Sequence, residues 1–276
     1  YGLGWWVLDD GWYHAIGNQN NHISVNPGLG IVAVSLGTES GGNGFFGTYS
    51  TFLSQLGNAV LPAQWDEQGD GSWSDLNPTI GKPRWTTADG FVPDVFPTTA
   101  AEIRTDTVSV TQDLAVGRVD VIGGGLHVTS ESALKSYGRI GLKDSAEFLV
   151  EGTLDANSVL VGGGSTLVLA GESKFDELRV GDGTLRLYDV GEPYSVRRWT
   201  TFGDSHVEFH VSDAAWDSPV VFNSRLRPIL SGELSLEFLS ELNLEELEGQ
   251  TLKMFAWGDR TPTSEFENIT MPTRVE

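Results

Sequence analysis

The chain has 276 residues, with 38 Asp and Glu against 17 Lys and Arg, a net charge of −21 at pH 7 and no cysteine. The lack of cysteine excludes disulfides, thiol nucleophiles and thiolate metal sites, and the acidic excess disfavours nucleic acids and anionic membrane surfaces as partners. No apolar run approaches the ~20 residues that a membrane-spanning helix needs. The charge suits an extracellular protein.

The first stretch, residues 1–61, predicts antiparallel strands followed by a helix. Short runs with alternating apolar residues, separated by Gly- and Asn-rich turns, predict the strands. The apolar residues that follow fall at helical spacing before a proline: Tyr49, Phe52, Leu53, Leu56 and Val60. We therefore expect an amphipathic helix over residues 48–61.

Four motifs in this stretch have a recognisable order: Tyr1-Gly-x-Gly-Trp-Trp6, His14-Ala-Ile-Gly17, Ile23-Ser-Val-Asn-Pro27 and Gly30-Ile-Val-Ala-Val-Ser-Leu36. Together they resemble the C-terminal end of the serine β-lactamase-like hydrolases, a group of esterases, amidases and D-amino-acid peptidases. The resemblance implies a partial α/β fragment of such a hydrolase. In that family the nucleophilic serine, its lysine partner and the general-base motif lie upstream, so we expect the chain to be a fragment that lacks them.

The same resemblance implies a substrate cleft beside the second strand. His14 falls where the family has its third motif and would be a polar donor to the substrate, and Gly17 would let the substrate backbone approach the strand edge. The polar turn with Asn18, Asn20 and Asn21 would border the cleft. A strand histidine without a role and a solvated turn are the alternative interpretations.

No other pattern in the sequence predicts catalysis strongly. The nucleophile-elbow pattern Gly-x-Ser-x-Gly is absent. The run His206-Val-Glu-Phe-His210 has the histidine spacing of a helical zinc motif, but its alternation predicts a strand with His206, Glu208 and His210 on one face. A metal site there is an alternative interpretation, although an exposed polar strand face is the simpler one. We expect no cofactor, and no activity from the chain by itself.

Residues 62–105 predict a linker and an N-terminal cap, because they are polar, Gly-rich and punctuated by tryptophans. Asp66 and Asp70 lie at a Gly-Asp-Gly turn and are calcium candidates, although they lack EF-hand spacing and a simple Asp-Gly turn explains them. The aromatic residues of this region predict a cap on the core that follows, with sugar stacking as the alternative: Trp73, Trp85, Phe91 and Phe96.

Residues 106–191 predict the element around which the chain is organised. Short alternating strands and tight Gly corners repeat, and the first glycine after each strand recurs after 18, 21 and 19 residues: Gly123, Gly141, Gly162 and Gly181. Each unit matches about one coil of a β-solenoid, whose inward Val, Leu and Ile are buried only by stacking on other coils. A meandering antiparallel sandwich also fits the alternation.

A second resemblance covers residues 65–276. Its motifs are Trp65-Asp-x-x-Gly-Asp-Gly-Ser-Trp73, the Leu-x-Val-Gly-x-Gly-x-Leu-x-Leu units and Gly232-Glu-Leu-Ser-Leu-Glu-Phe238. They resemble autotransporter-like or PEP-CTERM-type β-repeat surface proteins of planctomycete-like bacteria, which implies an extracellular scaffold without known catalytic residues. Over residues 192–276 we expect a sandwich-like C-terminal β domain.

Two function hypotheses follow for a mainly β, secreted bacterial protein. In the first, the chain is the end of a serine hydrolase that transfers acyl groups from a small amide or ester, fused to a β-repeat scaffold. In the second, it is a non-catalytic surface scaffold, adhesin or module that binds cell-surface polysaccharide. The contact candidates of the second hypothesis are Trp12, Trp73, Trp85 and Trp199. Neither hypothesis involves nucleic acid.

Overall fold

The computed structural model describes residues 6–7, 13–16, 21–26, 31–35, 62–66, 68–86, 100–211, 216, 219–223, 227–238, 251–257 and 262–270. The regular secondary structure of these residues is entirely β, arranged in three sheets. The predicted mainly β fold class is therefore confirmed. Within these ranges, no helix has the length and apolar character needed to cross a membrane.

The N-terminal sheet contains four antiparallel strands in chain order. They are β1 (Trp6–Val7), β2 (Tyr13–Ile16), β3 (His22–Asn26) and β4 (Ile31–Ser35). The helix expected over residues 48–61 lies outside the described residues. Because the described part of residues 1–61 contains strands only, the expected α/β hydrolase fragment is not supported.

The other two sheets form a β-solenoid. Sheet I contains β5 (Ala63–Trp65), β7 (Trp85–Thr86), β8 (Ala100–Ile103), β10 (Leu114–Val116), β11 (Arg118–Ile122), β13 (Ala133–Lys143), β15 (Thr153–Val161), β17 (Ser173–Gly181), β19 (Tyr194–Phe202), β21 (Val220–Phe222) and β23 (Phe255–Ala256). Sheet II contains β6 (Gly71–Ser72), β9 (Thr107–Val110), β12 (Gly125–Val128), β14 (Glu147–Val150), β16 (Thr166–Leu169), β18 (Thr184–Tyr188), β20 (His206–Val211), β22 (Glu233–Phe238) and β24 (Asn268–Thr270).

The chain passes from sheet I to sheet II and back in each coil. In sheet I, β13, β15, β17 and β19 pair in parallel one after another, and β14, β16, β18 and β20 do the same in sheet II. Parallel pairing between successive coils is the solenoid arrangement, and an antiparallel meander is excluded for these strands. The predicted solenoid is confirmed.

The corner from sheet I to sheet II turns at one or two residues in the left-handed region. These residues have φ between +51° and +78°: Gly123, Asp144, Ser145, Gly163, Gly164, Asp182, Gly203 and Gly232. Glycine adopts this conformation without steric cost, and Asp tolerates it better than most residues. Of the glycines that the sequence marks as corners, Gly141 lies inside β13 and Gly181 is the last residue of β17. The corners after these two strands turn at Asp144 and Asp182, which a glycine pattern does not mark.

The core consists of columns of inward side chains, one from each coil. Along sheet II one column is at most 1% exposed: Val108, Leu126, Phe148, Leu167, Leu185 and Val207. The parallel register places each of these residues beside the next. Burial of one such side chain stabilises the fold by about 1.5–3 kcal/mol, and its neighbours belong to other coils. The core is therefore continuous along the solenoid.

The predicted boundaries at 105 and 191 do not interrupt the solenoid. Strands β5 and β6 pair in parallel with β8 and β9, so part of the expected linker already forms a coil. At the other boundary, β19 and β20 extend the two sheets in parallel. The sandwich-like C-terminal cap is corrected accordingly, because the described strands after residue 191 continue the coils. Inward alternation looks the same in a sandwich and in a solenoid strand.

Candidate functional site

The N-terminal sheet brings a histidine and a serine together. The register of β2 and β3 places His14 opposite Ser24, and His14 Nδ1 lies 2.7 Å from Ser24 Oγ. This is the distance that a serine nucleophile and its base require. Both side chains are buried, however, so the hydroxyl faces the protein rather than a substrate. Ser24 was missed from the sequence, because only the strand register pairs it with His14.

The rest of the predicted cleft is not assembled among the described residues. Gly17, Asn18 and Asn20 lie outside them, and Asn21 is a half-buried residue just before β3. The neighbouring His22 is buried, and loss of solvent lowers the pKa of its imidazole. A substrate role for His14, Gly17 and the asparagines therefore stays a prediction.

The two calcium candidates are engaged by the fold. Asp66 Oδ1 accepts hydrogen bonds from Arg84 Nε at 2.9 Å and forms an ion pair with Nη2 at 2.7 Å. Asp70 Oδ1 accepts a hydrogen bond of 2.7 Å from the backbone N–H of Thr107. Within the described ranges, no group of three or more His, Asp or Glu could hold a metal ion. A guanidinium group occupies the place that a cation would take beside Asp66, so calcium is not supported there.

The tryptophan candidates for sugar contact are core residues. Trp73 and Trp85 pack against each other with ring centroids 4.6 Å apart, and Trp65 contacts Trp85 at 5.2 Å. These three rings and Trp199 are all buried. Trp12, Phe91 and Phe96 lie outside the described residues. The aromatic residues cap and fill the core, which corrects the assignment of Trp73, Trp85 and Trp199 as ligand contacts.

The polar face of β20 is an ion-pair cluster on the outside of sheet II. Arg186 Nε donates to Glu208 Oε2 at 2.6 Å, and His210 Nε2 lies 3.3 Å from the same oxygen. His206 Nδ1 lies 3.4 Å from Glu233 Oε2. Burial would raise the pKa of Glu208, but the hydrogen bonds from Arg186 and His210 outweigh burial and lower it. The predicted polar strand face is confirmed, and an arginine provides its positive charge.

The outer faces of the two solenoid sheets differ in charge. The strands of sheet I carry eight Lys and Arg and five Asp and Glu, a net charge of +3. The strands of sheet II carry one Arg and four Glu, a net charge of −3. A chain with a net charge of −21 thus presents one locally cationic face.

On the outer face of sheet I, a carboxylate pairs with an arginine of its own strand and with another of the next coil. Asp120 pairs with Arg118 at 3.1 Å and with Arg139 at 2.9 Å. Glu177 pairs with Arg179 of the same strand at 2.8 Å and with Arg198 of the next coil at 2.9 Å. Burial would raise the pKa of Glu177, but hydrogen bonds from Arg198 and Arg179 outweigh it and lower the pKa. The carboxylate of Glu177 thus remains ionised beneath the two guanidinium groups.

Comparison of the chain with protein-family models, with curated proteins and with solved structures finds no match. Function is therefore inferred from geometry. The described residues offer a buried Ser–His pair, a side-chain-filled solenoid and two charged outer faces, and of these only the outer faces are open to a partner.

Proposed function

We propose that the chain is a non-catalytic extracellular scaffold whose β-solenoid displays its outer faces to other molecules. The observation that carries the proposal is the continuous core of the coils, in which inward side chains are buried and charged side chains lie outside. Stacked coils of this kind give an extended surface of regular spacing, which proteins of repeated architecture use for binding. The strong acidic charge supports solubility outside the cell.

The location of the chain tests this proposal. Source cells would be separated into cytoplasmic, cell-surface and medium fractions, and intact cells would be treated with a protease that does not enter them. We expect the chain in the surface or medium fraction and, when it is on the surface, its removal by the protease. A chain confined to the cytoplasm would overturn the proposal.

A second candidate function is acyl transfer from an amide or ester. The observation that favours it is the 2.7 Å contact between His14 Nδ1 and Ser24 Oγ, which is the geometry of a serine with its general base. A fluorophosphonate probe tests it directly, because such probes label activated serines. Labelling that disappears in Ser24→Ala but persists in Ser158→Ala, a serine on the solenoid, would support this candidate. Unlabelled protein would reject it.

A further inference from the structure

We propose that the outer face of sheet I binds a linear acidic polysaccharide; this rests on the proposed scaffold function and names its partner. The face is defined by six cationic side chains that are 43–53% exposed: Arg104, Lys135, Arg139, Arg179, Arg197 and Arg198. The carboxylate partners of Arg139, Arg179 and Arg198 are Asp120 and Glu177, which are only 11% and 19% exposed. A molecule that approaches the face meets positive charge first.

The cations recur along the axis of the solenoid. The register aligns Arg139 of β13, Ser158 of β15, Glu177 of β17 and Arg198 of β19 in one column. Adjacent strands are about 4.8 Å apart, so Arg139 and Arg198 are about 14 Å apart along the axis. Arg179 lies two residues further along β17, beside this column. An extended polymer that runs along the axis can contact Arg139 and Arg198 together, with Arg179 between them, whereas a compact small anion cannot span them.

The chemistry of the face favours a ligand that carries hydroxyls as well as anionic groups. Guanidinium groups bind carboxylates with paired hydrogen bonds. Between them, the carboxylates of Asp155 and Asp176 are 46% and 34% exposed and can accept hydrogen bonds from sugar hydroxyls. Those carboxylates need hydrogen-bond donors, which the hydroxyls of a sugar chain supply at every residue and the phosphate–deoxyribose backbone of DNA does not. A carboxylated sugar chain offers carboxylates to the guanidinium groups and hydroxyls to the exposed aspartates.

The test measures binding of the full chain to immobilised polygalacturonate, with its fully methyl-esterified form as the matched ligand without charge. We expect binding to the acidic form that weakens as salt concentration rises, because the contacts are ionic, and no binding to the ester. Equal binding to both forms would overturn the proposal, and so would the absence of binding to the acidic form at low salt. Both outcomes are measured with the unmodified chain.

Variants locate the surface. The triple variant Arg139→Gln, Arg179→Gln and Arg198→Gln should bind at least about tenfold more weakly, since a single cation near an anionic surface contributes about fivefold. Arg186→Gln is the matched control, because Arg186 is 42% exposed and also bonds a glutamate, but lies on sheet II. Its affinity should stay within about twofold of the unmodified chain. A triple variant that is folded by circular dichroism and binds normally would overturn the assignment.

Two further outcomes separate this proposal from the scaffold function. Tighter binding to single-stranded DNA than to polygalacturonate would overturn the choice of polysaccharide and make the partner a nucleic acid. A chain that is found on the cell surface but does not bind polygalacturonate would remain a scaffold, with the acidic polysaccharide removed as its partner.

Discussion

The N-terminal sheet and the solenoid distribute polar and apolar residues in opposite ways. In the solenoid, inward positions are apolar and buried, and charged residues lie outside. In the N-terminal sheet, the buried face contains His14, His22 and Ser24, whereas Ile23, Val32 and Val34 are 43%, 65% and 61% exposed. The solenoid therefore draws its stability from apolar burial, while the N-terminal sheet buries mainly polar side chains together with Ala33.

The reason for this difference is the number of neighbours that each strand has. A solenoid strand packs against the facing sheet and against the coils on both sides, so its inward residues are covered in every coil. A four-stranded sheet has two faces and cannot cover either one by itself. Local alternation is similar in both regions, and burial is decided by what packs against each face. Three perturbations test this contrast and a fourth compares two turns within the solenoid; they follow in order of decreasing effect.

Removing a large side chain from the solenoid core should have the largest effect. Phe148 is fully buried between Leu126 and Leu167, so Phe148→Ala should lower the free energy of unfolding by about 3–5 kcal/mol. Urea denaturation measures this change. Ile23→Ala on the exposed face of the N-terminal sheet is the control and should change it by less than about 1 kcal/mol. Equal effects would remove the contrast between the two regions.

A corner glycine should have the next largest effect. Gly203 has φ +62°, and a Cβ there would collide with the carboxylate of Asp182. Gly203→Ala should therefore destabilise the chain by about 1–3 kcal/mol. At Gly191, φ is +75° but no atom lies within 4 Å of an added Cβ, so Gly191→Ala should cost about 1 kcal/mol from backbone strain alone. Thermal unfolding of both variants checks the difference, and a larger loss in Gly191→Ala would contradict it.

Acidification should affect the N-terminal sheet before the solenoid. The pKa of His22 is lowered from its ordinary 6.5 by burial, so the unfolded sheet binds protons more readily and stability falls as the pH drops below 6.5. The pKa values of Glu177 and Glu208 are lowered from 4.5. Their contribution is complete above pH 4.5 and is lost only as the pH falls through the lowered values.

Hydrogen exchange at about pH 7.5 and about pH 5.5, corrected for the intrinsic rate, separates the two regions. Protection of β2 to β4 should decrease between these conditions, whereas protection of β14 to β18 should not. In His22→Gln the decrease in the N-terminal sheet should disappear. Loss of protection in the solenoid alone between these two pH values would contradict the assignment of the acid-sensitive group to His22.

The exposed face of the N-terminal sheet should give the smallest effect. Val34→Thr keeps the side chain's shape and β-branching while adding a hydroxyl to a position that is largely exposed. We expect a change in the free energy of unfolding within about 0.5 kcal/mol. Val207→Thr in the solenoid core is the matched control, since it buries the same hydroxyl and should cost about 1–3 kcal/mol. A large loss in Val34→Thr would show that this face is covered in solution.

The candidate sites were predictable only where a local pattern was sufficient. Strict alternation in β20 placed His206, Glu208 and His210 on one face, and that face is observed. The buried state of Trp199 and the ion pair of Asp66 were not predictable, because their neighbours Phe255 and Arg84 are distant in the sequence. The pairing of His14 with Ser24 depended likewise on strand register.

The sequence by itself determined the short alternating strands, the glycine-rich corners and a coil of about twenty residues, because each depends on side chains that are near one another in the chain. Only the tertiary structure decided that the coils continue past residue 191, that aspartates form two of the corners and that sheet I is cationic. Residues that meet on one face come from successive coils. Which of them meet is fixed by parallel register, and register is set when the coils stack.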